Sequence, residues 1–191
     1  PETEFVVEET LNVICPIKKP VIADICSGSG AISVAVAVNN SRAKVFASDI
    51  SDIACEVATA NIKVHGVKDR VFIFSGDLWS PFETRNIAGF DVIASNPPYI
   101  PTYKLSTLPK DVKNEPRIAL NGGTDGLKYY RRIVSRAPEF LKPGGRVILE
   151  IGWNQACDVK ALLKNTGFLD IKIIKDYAGF DRVVSAVFLG R

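Results

Sequence analysis

Short apolar runs recur along this chain, and most of them stop on a glycine, a carboxylate or an asparagine. The first, Val21 to Ile25, enters Cys26-Ser27-Gly28-Ser29-Gly30 and is followed by the apolar stretch 31–38. That order predicts a strand, a tight glycine turn and a buried helix. A second strand over 44–47 ends on Ser48-Asp49. From Ser51, a residue type that caps helices, Ile53, Val57, Ala60 and Val64 recur at three- and four-residue steps as far as His65. This predicts an amphipathic helix with that stripe on the core, closed by Gly66. Strands over 71–74 and 90–94 follow, the third leading into Gly76-Asp77 and the fourth into Ser95-Asn96-Pro97-Pro98-Tyr99.

Residues 100–126 have several prolines and charges but no clean period, which predicts an irregular excursion, functional or lid-like. Leu127, Tyr130, Val134, Ala137 and Leu141 mark the next helix. Pro143-Gly144-Gly145 reads as a turn into a fifth strand over 146–151, then a helix over 154–165 stopped by Gly167. The strands 168–174 and 183–189 are joined by a link too short for a parallel crossover, so they form an antiparallel pair. The alternation predicts an α/β doubly wound sheet of seven strands, mostly parallel, with a C-terminal antiparallel hairpin. Ligands in such sheets bind beyond the carboxyl ends of the strands at the switch point. Gly28, Asp49, Asp77 and Asn96 all fall at such ends, which makes one site of four separate features.

Composition narrows the picture. The 191 residues are 47% hydrophobic and 24% charged, enough to bury a core, and the net charge of +3 is too small to argue for nucleic acid alone. The most apolar stretch, 31–38, is interrupted by Ser33 and far short of the ~20 residues a bilayer needs. No Cys-x-x-Cys pair exists among Cys15, Cys26, Cys55 and Cys157, and His65 is the single histidine. Metal centres and a Ser-His-Asp triad are therefore poor readings, and unpaired thiols point to a reducing cytoplasm. The acidic N-terminus has no basic-then-apolar leader. A start at Pro1-Glu2-Thr3, with no methionine anywhere, reads as an excerpt or a processed product. Lys128, Arg131, Arg132 and Arg136 read as a solvated helix face, and Trp79 and Trp153 as packing or loop-anchoring aromatics. Cys55 and Cys157 read as small helix residues, and His65 as a cation at a helix C-terminus.

The glycine turn carries the first candidate chemistry. Gly28 and Gly30 let backbone approach a ligand with no Cβ in the way, and the helix after them aims free N–H groups at an anionic group. Asp49 follows Gly28 by 21 residues, close to the roughly 20 at which an acid reaches ribose hydroxyls. Blander readings stand beside these: glycines that merely close a turn, Asp49 as a helix cap, Asp77 as a solvated turn acid. Two adenosyl ligands suit the pattern. A nicotinamide dinucleotide wants a third glycine where Ser33 stands. S-adenosylmethionine would place its carboxylate on the turn, its ribose on Asp49, its adenine amine on Asp77 and its ammonium, through a water, on Asp24.

Asn96-Pro97-Pro98-Tyr99 is the most specific signal. Two prolines stiffen the backbone and remove donors, leaving the Asn96 side-chain oxygen, the Pro97 carbonyl and the flat face of Tyr99. Two convergent acceptors beside a stacking surface suit a planar –NH2 group. Gripping both of its N–H bonds localises the nitrogen lone pair and aims it at an incoming methyl, so positioning and electrostatics do most of the catalysis.

Asp24-x-Cys26-x-Gly28-x-Gly30 resembles motif I of class I methyltransferases, and the tetrad resembles that of amino-group methyltransferases. Pro1-Glu2-Thr3-Glu4, Glu115-Pro116-Arg117-Ile118-Ala119-Leu120, Gly122-Gly123-Thr124-Asp125-Gly126-Leu127, and Asp176 with Asp181-Arg182-Val183-Val184 resemble the release-factor glutamine methyltransferases, the HemK family. The resemblance runs nearly end to end. It implies methylation of the glutamine amide in the Gly-Gly-Gln motif of class 1 peptide-chain release factors, with S-adenosylmethionine as methyl donor, S-adenosylhomocysteine as product and no metal. It implies that Asp24, Cys26, Ser27, Gly28, Ser29, Gly30, Asp49, Asp77, Leu78 and Asn96 hold the cofactor. Asn96, Pro97, Pro98 and Tyr99 would hold the glutamine, with Asn96, Pro97 and Tyr99 catalytic. Cys26 stands where the family usually has glycine, which predicts a tighter turn or a more weakly held cofactor. The family's helical N-terminal docking domain is expected to lie outside this chain, leaving residues 1–191 as one catalytic domain, a cytoplasmic monomer. Rival readings are methylation of a ribosomal-protein glutamine or of adenine or guanine in nucleic acid. A non-catalytic adenosyl-binding module or a dehydrogenase would not use an amine-gripping turn.

Overall fold

A computed structural model describes residues 2–109 and 114–190; Pro1 of the Pro-Glu-Thr-Glu stretch and part of the 100–126 excursion lie outside them. Seven strands, β1 Val21–Ile25, β2 Lys44–Asp49, β3 Val71–Ser75, β4 Phe90–Ser95, β5 Leu141–Glu150, β6 Leu169–Lys175 and β7 Asp181–Phe188, form one sheet in the order β3-β2-β1-β4-β5-β7-β6. The first five run parallel, and β7 is antiparallel to both β5 and β6. The doubly wound fold with its reversed C-terminal hairpin is as expected. The order reverses between β1 and β4, and the switch point opens there.

Consecutive residues in the central strands are buried on opposite faces. Ala23, Ile93 and Val147 pack with one core, and Ile22, Val92 and Ile148 with the other. Strands covered on both faces read as continuous apolar runs, which is why they were legible. The helices α1 Glu4–Ile14, α2 Ala31–Asn39, α3 Asp52–Val64, the short α4 Ser80–Thr84, α6 Lys128–Phe140 and α7 Ala156–Asn165 contribute to these cores, while the short α5 Arg117–Leu120 borders the cleft described below. Among the described residues no helix is long and apolar enough to cross a membrane.

Four local features depart from expectation. Helix α1 was not foreseen. Its buried positions Val6, Thr10 and Ile14 repeat every four residues, but Thr10 breaks the apolar stripe. Its hydroxyl donates to the Val6 carbonyl at 2.7 Å, so the residue is buried without an unpaired group. In α3 the predicted stripe is turned outward: Ile53 and Val64 are 74% and 80% exposed, while Ala58 and Ile62 are buried. A Cβ on Gly30 would stand 3.2 Å from Ala58 Cβ, so this helix packs its small-residue side against the glycine turn. Strand β5 starts before Pro143-Gly144-Gly145 rather than after it. Phe90 pairs with Leu141 but Val92 with Arg146, so residues 142–145 bulge from the ladder. The 100–126 excursion contains a 3₁₀ helix at Thr102–Thr107 and α5, and an isolated Ile100–Asn121 bridge closes it on itself.

Candidate active site

The carboxyl ends of β1, β2 and β4, with the turn after β3, surround a cleft of about 590 Å³. Of the residues singled out from sequence, Cys26, Ser27, Gly28, Ser29, Asp49, Asp77, Leu78 and the whole Asn96–Tyr99 tetrad line it; Asp24 and Gly30 do not.

Gly28 has φ of +55° and open space where a Cβ would be, whereas Gly30, at φ +78°, faces Ala58. One glycine therefore opens the turn toward the cleft and the other lets α2 and α3 approach. Cys26 adopts φ of +59° with a side chain, a conformation that strains a non-glycine residue by about 1 kcal/mol. Burial, then the carboxylates of Asp49, Asp24 and Asp77, push its thiol pKa up, so it is no thiolate nucleophile. Asp49 reaches back across the turn: its Oδ2 accepts from Gly28 N at 2.8 Å and its Oδ1 from Ser51 N at 2.9 Å.

Asp24 is fully buried beneath the turn. Its Oδ2 accepts from Ser33 N and Ser33 Oγ, at 3.1 and 2.6 Å. That bond accounts for serine at position 33, where a dinucleotide fold would want glycine. Burial pushes the Asp24 pKa up to about 7, although both Ser33 bonds oppose it. Among the described residues the buried side-chain atoms without a hydrogen-bond partner are Asp24 Oδ1 and Ser27 Oγ. Both sit at this turn, and such atoms are costly unless a ligand satisfies them. Beyond β3, Asp77 holds Arg132 in a fork, at 3.1 and 2.6 Å, and Ser48 Oγ donates to the Leu78 carbonyl at 2.8 Å.

The tetrad is clamped from behind. Gln155, nearly buried, donates through Nε2 to the Tyr99 and Gly126 carbonyls at 3.0 and 3.3 Å. Its Oε1 accepts from Gly152 N at 3.0 Å and lies 3.4 Å from the Tyr130 hydroxyl, whose proton goes to the Glu150 main-chain oxygen at 2.9 Å. A second set of bonds converges on Glu150, the last residue of β5. Thr3 Oγ1 donates to Glu150 Oε2 at 2.7 Å, and Tyr99 donates to Oε1 at 3.4 Å. Asn96 Nδ2 donates to Thr3 Oγ1 at 3.1 Å. Burial raises the Glu150 and Tyr99 pKa values, so the phenol stays a donor. Sequence reasoning assigned no role to Thr3, Glu150 or Gln155. A signal existed for Glu150, a lone carboxylate at the carboxyl end of an apolar strand, the same position that picked out Asp49.

The basic side chains of α6 are largely spent. Arg131 pairs with Asp125, Arg132 with Asp77, and Arg136 with Glu83 and Glu139, while Lys128 lies over the Tyr129 ring. Trp79 is buried and stacked on Phe140 at 4.5 Å, whereas Trp153 is 60% exposed.

Known proteins align with this arrangement. Release factor glutamine methyltransferase of Clostridium acetobutylicum is 44% identical over 98% of this chain, and that of Aquifex aeolicus 40% over 97%. The chain spans 66% and 65% of the length of those two relatives, so it corresponds to about two thirds of each. A methyltransferase from Pyrococcus furiosus superposes with a TM-score of 0.67 at 22% identity, covering 97% of this chain and 83% of its own. An RNA methyltransferase from Salinibacter ruber, solved with S-adenosyl-L-homocysteine, superposes at 0.62 and 19%, covering 100% and 94%; at such identities the likeness is one of fold. The sequence model described as methyltransferase small domain matches residues 3–108, more than half of the chain and all of β1 to β4, so the chain belongs to that methyltransferase family.

Proposed function

We propose that this chain transfers a methyl group from S-adenosylmethionine to the side-chain amide nitrogen of glutamine in the Gly-Gly-Gln motif of class 1 peptide-chain release factors. The observation that carries the reading is that one cleft is lined both by the glycine turn with Asp49 and by the Asn96-Pro97-Pro98-Tyr99 tetrad. The names of the relatives supply the substrate, and the buried, unpartnered atoms of Asp24 and Ser27 support a ligand on the turn.

S-adenosylmethionine, when bound, supplies an electrophilic methyl on a sulfonium. The chain's residues do the rest. The Ser29 N–H takes the ligand carboxylate, those of Ser27, Gly28 and Gly30 being given to Ser48, Asp49 and Ser27. Asp24 favours the ligand ammonium through a water, and Asp49 has lone pairs left for ribose hydroxyls. Asp77 and Leu78 border the adenine. Asn96 Oδ1 and the Pro97 carbonyl accept from the two N–H bonds of the glutamine amide while Tyr99 stacks on its plane. Their partial negative charges stabilise the positive charge that develops on nitrogen as it takes the methyl. The surplus proton leaves to solvent after transfer, so no strong base is needed. Pairing of Arg131, Arg132 and Arg136 with carboxylates favours a protein substrate over nucleic acid. The described cysteines are all unpaired, which suits action in the cytoplasm.

Mass spectrometry of the Gly-Gly-Gln peptide, after incubating a release factor with this chain and labelled cofactor, tests the reading. Asn96→Ala should lower methyl transfer on the order of 10²-fold or more while S-adenosylhomocysteine still binds. Unchanged turnover in that variant removes the role assigned to Asn96.

A further inference from the structure

An amide looks almost the same from either side, yet only one orientation of Asn96 works in the cleft. If Nδ2 faced the substrate, two NH2 groups would meet donor to donor. Resting on the reading above, we propose that Glu150, acting through the Thr3 hydroxyl, is the positioning residue that turns the Asn96 amide so that its oxygen meets the substrate nitrogen.

Direction along the chain of bonds carries the proposal. A hydroxyl has one proton, and Thr3 gives it to Glu150 Oε2 at 2.7 Å. Thr3 Oγ1 can then only accept from Asn96, and the donor it finds is Nδ2 at 3.1 Å. With Nδ2 committed, Oδ1 is the end of the amide left for the cleft that Asn96 lines. Two further observations show that the arrangement is built. Thr3 stands at the N-cap of α1, where its hydroxyl would ordinarily bind a free N–H of the helix, yet it makes no capping bond. Glu150 is 3% exposed and lies 147 and 51 positions from its partners Thr3 and Tyr99. A carboxylate is held there by Thr3 on one oxygen and Tyr99 on the other, so a single group aligns both the acceptor amide and the stacking ring.

The groups facing Glu150 are the Thr3 and Tyr99 hydroxyls, the Arg182 guanidinium of β7 and the Glu2 carboxylate, with Tyr130 donating to its main-chain oxygen at 2.9 Å. Burial raises its pKa, Glu2 adds to the rise, and Thr3 and Arg182 oppose it. Once protonated, Glu150 no longer demands the Thr3 proton and the amide loses its lock. Turnover at saturating cofactor is therefore expected to fall on the acid side, through a pKa above that of an ordinary carboxylate. Saturation separates this limb from any effect of Asp24 on cofactor binding.

The test compares Thr3→Val, Thr3→Ser, Glu150→Gln and the parent chain. Thr3→Val should lower kcat on the order of 10²-fold, Thr3→Ser should restore it, and Glu150→Gln should lose the acid limb. S-adenosylhomocysteine should bind all four within about twofold. Glu150→Gln or Thr3→Val turning over like the parent, or Thr3→Ser as poor as Thr3→Val, overturns the proposal. A parent chain that makes no methylglutamine counts against the proposed function instead. In that event the geometry is still read from the ¹⁵N-labelled Asn96 side-chain NH2 signal, identified by its loss in Asn96→Ala. A signal that titrates in the parent and not in Glu150→Gln supports the proposal, and one that titrates alike in both, or in neither, refutes it.

Discussion

Asp24 is the residue whose environment makes the sharpest demand. Its carboxyl is fully buried, half-satisfied by Ser33, and titrates near 7 against an ordinary 3.8. The folded pKa lies above the unfolded one, so between these values the unfolded chain binds fewer protons and stability falls as pH rises. On the proposed function a ligand ammonium reaches the ionised carboxylate through a water and offsets that cost. Affinity for S-adenosylhomocysteine should therefore weaken as pH falls below about 7, approaching tenfold per pH unit at the limit. Calorimetry in two buffers of different ionisation enthalpy should show proton release near neutrality, and Asp24→Asn should flatten the dependence. A parent chain with no slope would separate Asp24 from the ligand altogether. Cys26 makes a smaller point at the same scale. Its positive φ is the conformation that glycine adopts freely, so the departure at this position leaves the turn's path available but strained.

The strand–turn–helix at β1 and α2 divides its glycines between two tasks. Gly30→Ala meets both a left-handed φ and Ala58 at 3.2 Å, so it should cost about 1–3 kcal/mol of stability. Gly28→Ala meets only the unfavourable φ, with open space beyond; it should cost about 1 kcal/mol and act mainly on ligand binding. Denaturant melts and cofactor titrations on the two variants decide this, and equal effects on both readouts would undo the division. Helix α3 shows why the pattern misled here. Its stripe at 53, 57, 60 and 64 is as regular as the buried row at 58 and 62, and periodicity cannot say which side meets the sheet. The need for small residues against the Gly30 turn chose the alanine side.

At the scale of the whole molecule, the cleft is assembled from strand ends that are distant in sequence, with Thr3 and Glu150 bridging 147 positions. A ligand spanning those ends ties separate elements together and should stabilise the folded chain as a unit. S-adenosylhomocysteine at 100 times its Kd should add about 2.7 kcal/mol, read as a rise in Tm; no rise at that excess would mean the cleft does not take it.

The chain's own order of residues settled the architecture and pointed to several of the residues that line the cleft. Parallel strands buried on both faces must be apolar throughout, and a glycine turn or a proline tetrad constrains its backbone locally, so Gly28, Asp49 and Asn96 could be read without neighbours. Folding alone decided the rest. Which face of α3 is covered, that Gly30 serves packing, that Arg132 occupies Asp77, and that Thr3, Glu150 and Gln155 hold the tetrad from behind depend on groups meeting across the sheet. Spacing along a chain carries no record of a hydrogen bond between residues so far apart, because only the packed fold brings the donor and the acceptor within bonding distance.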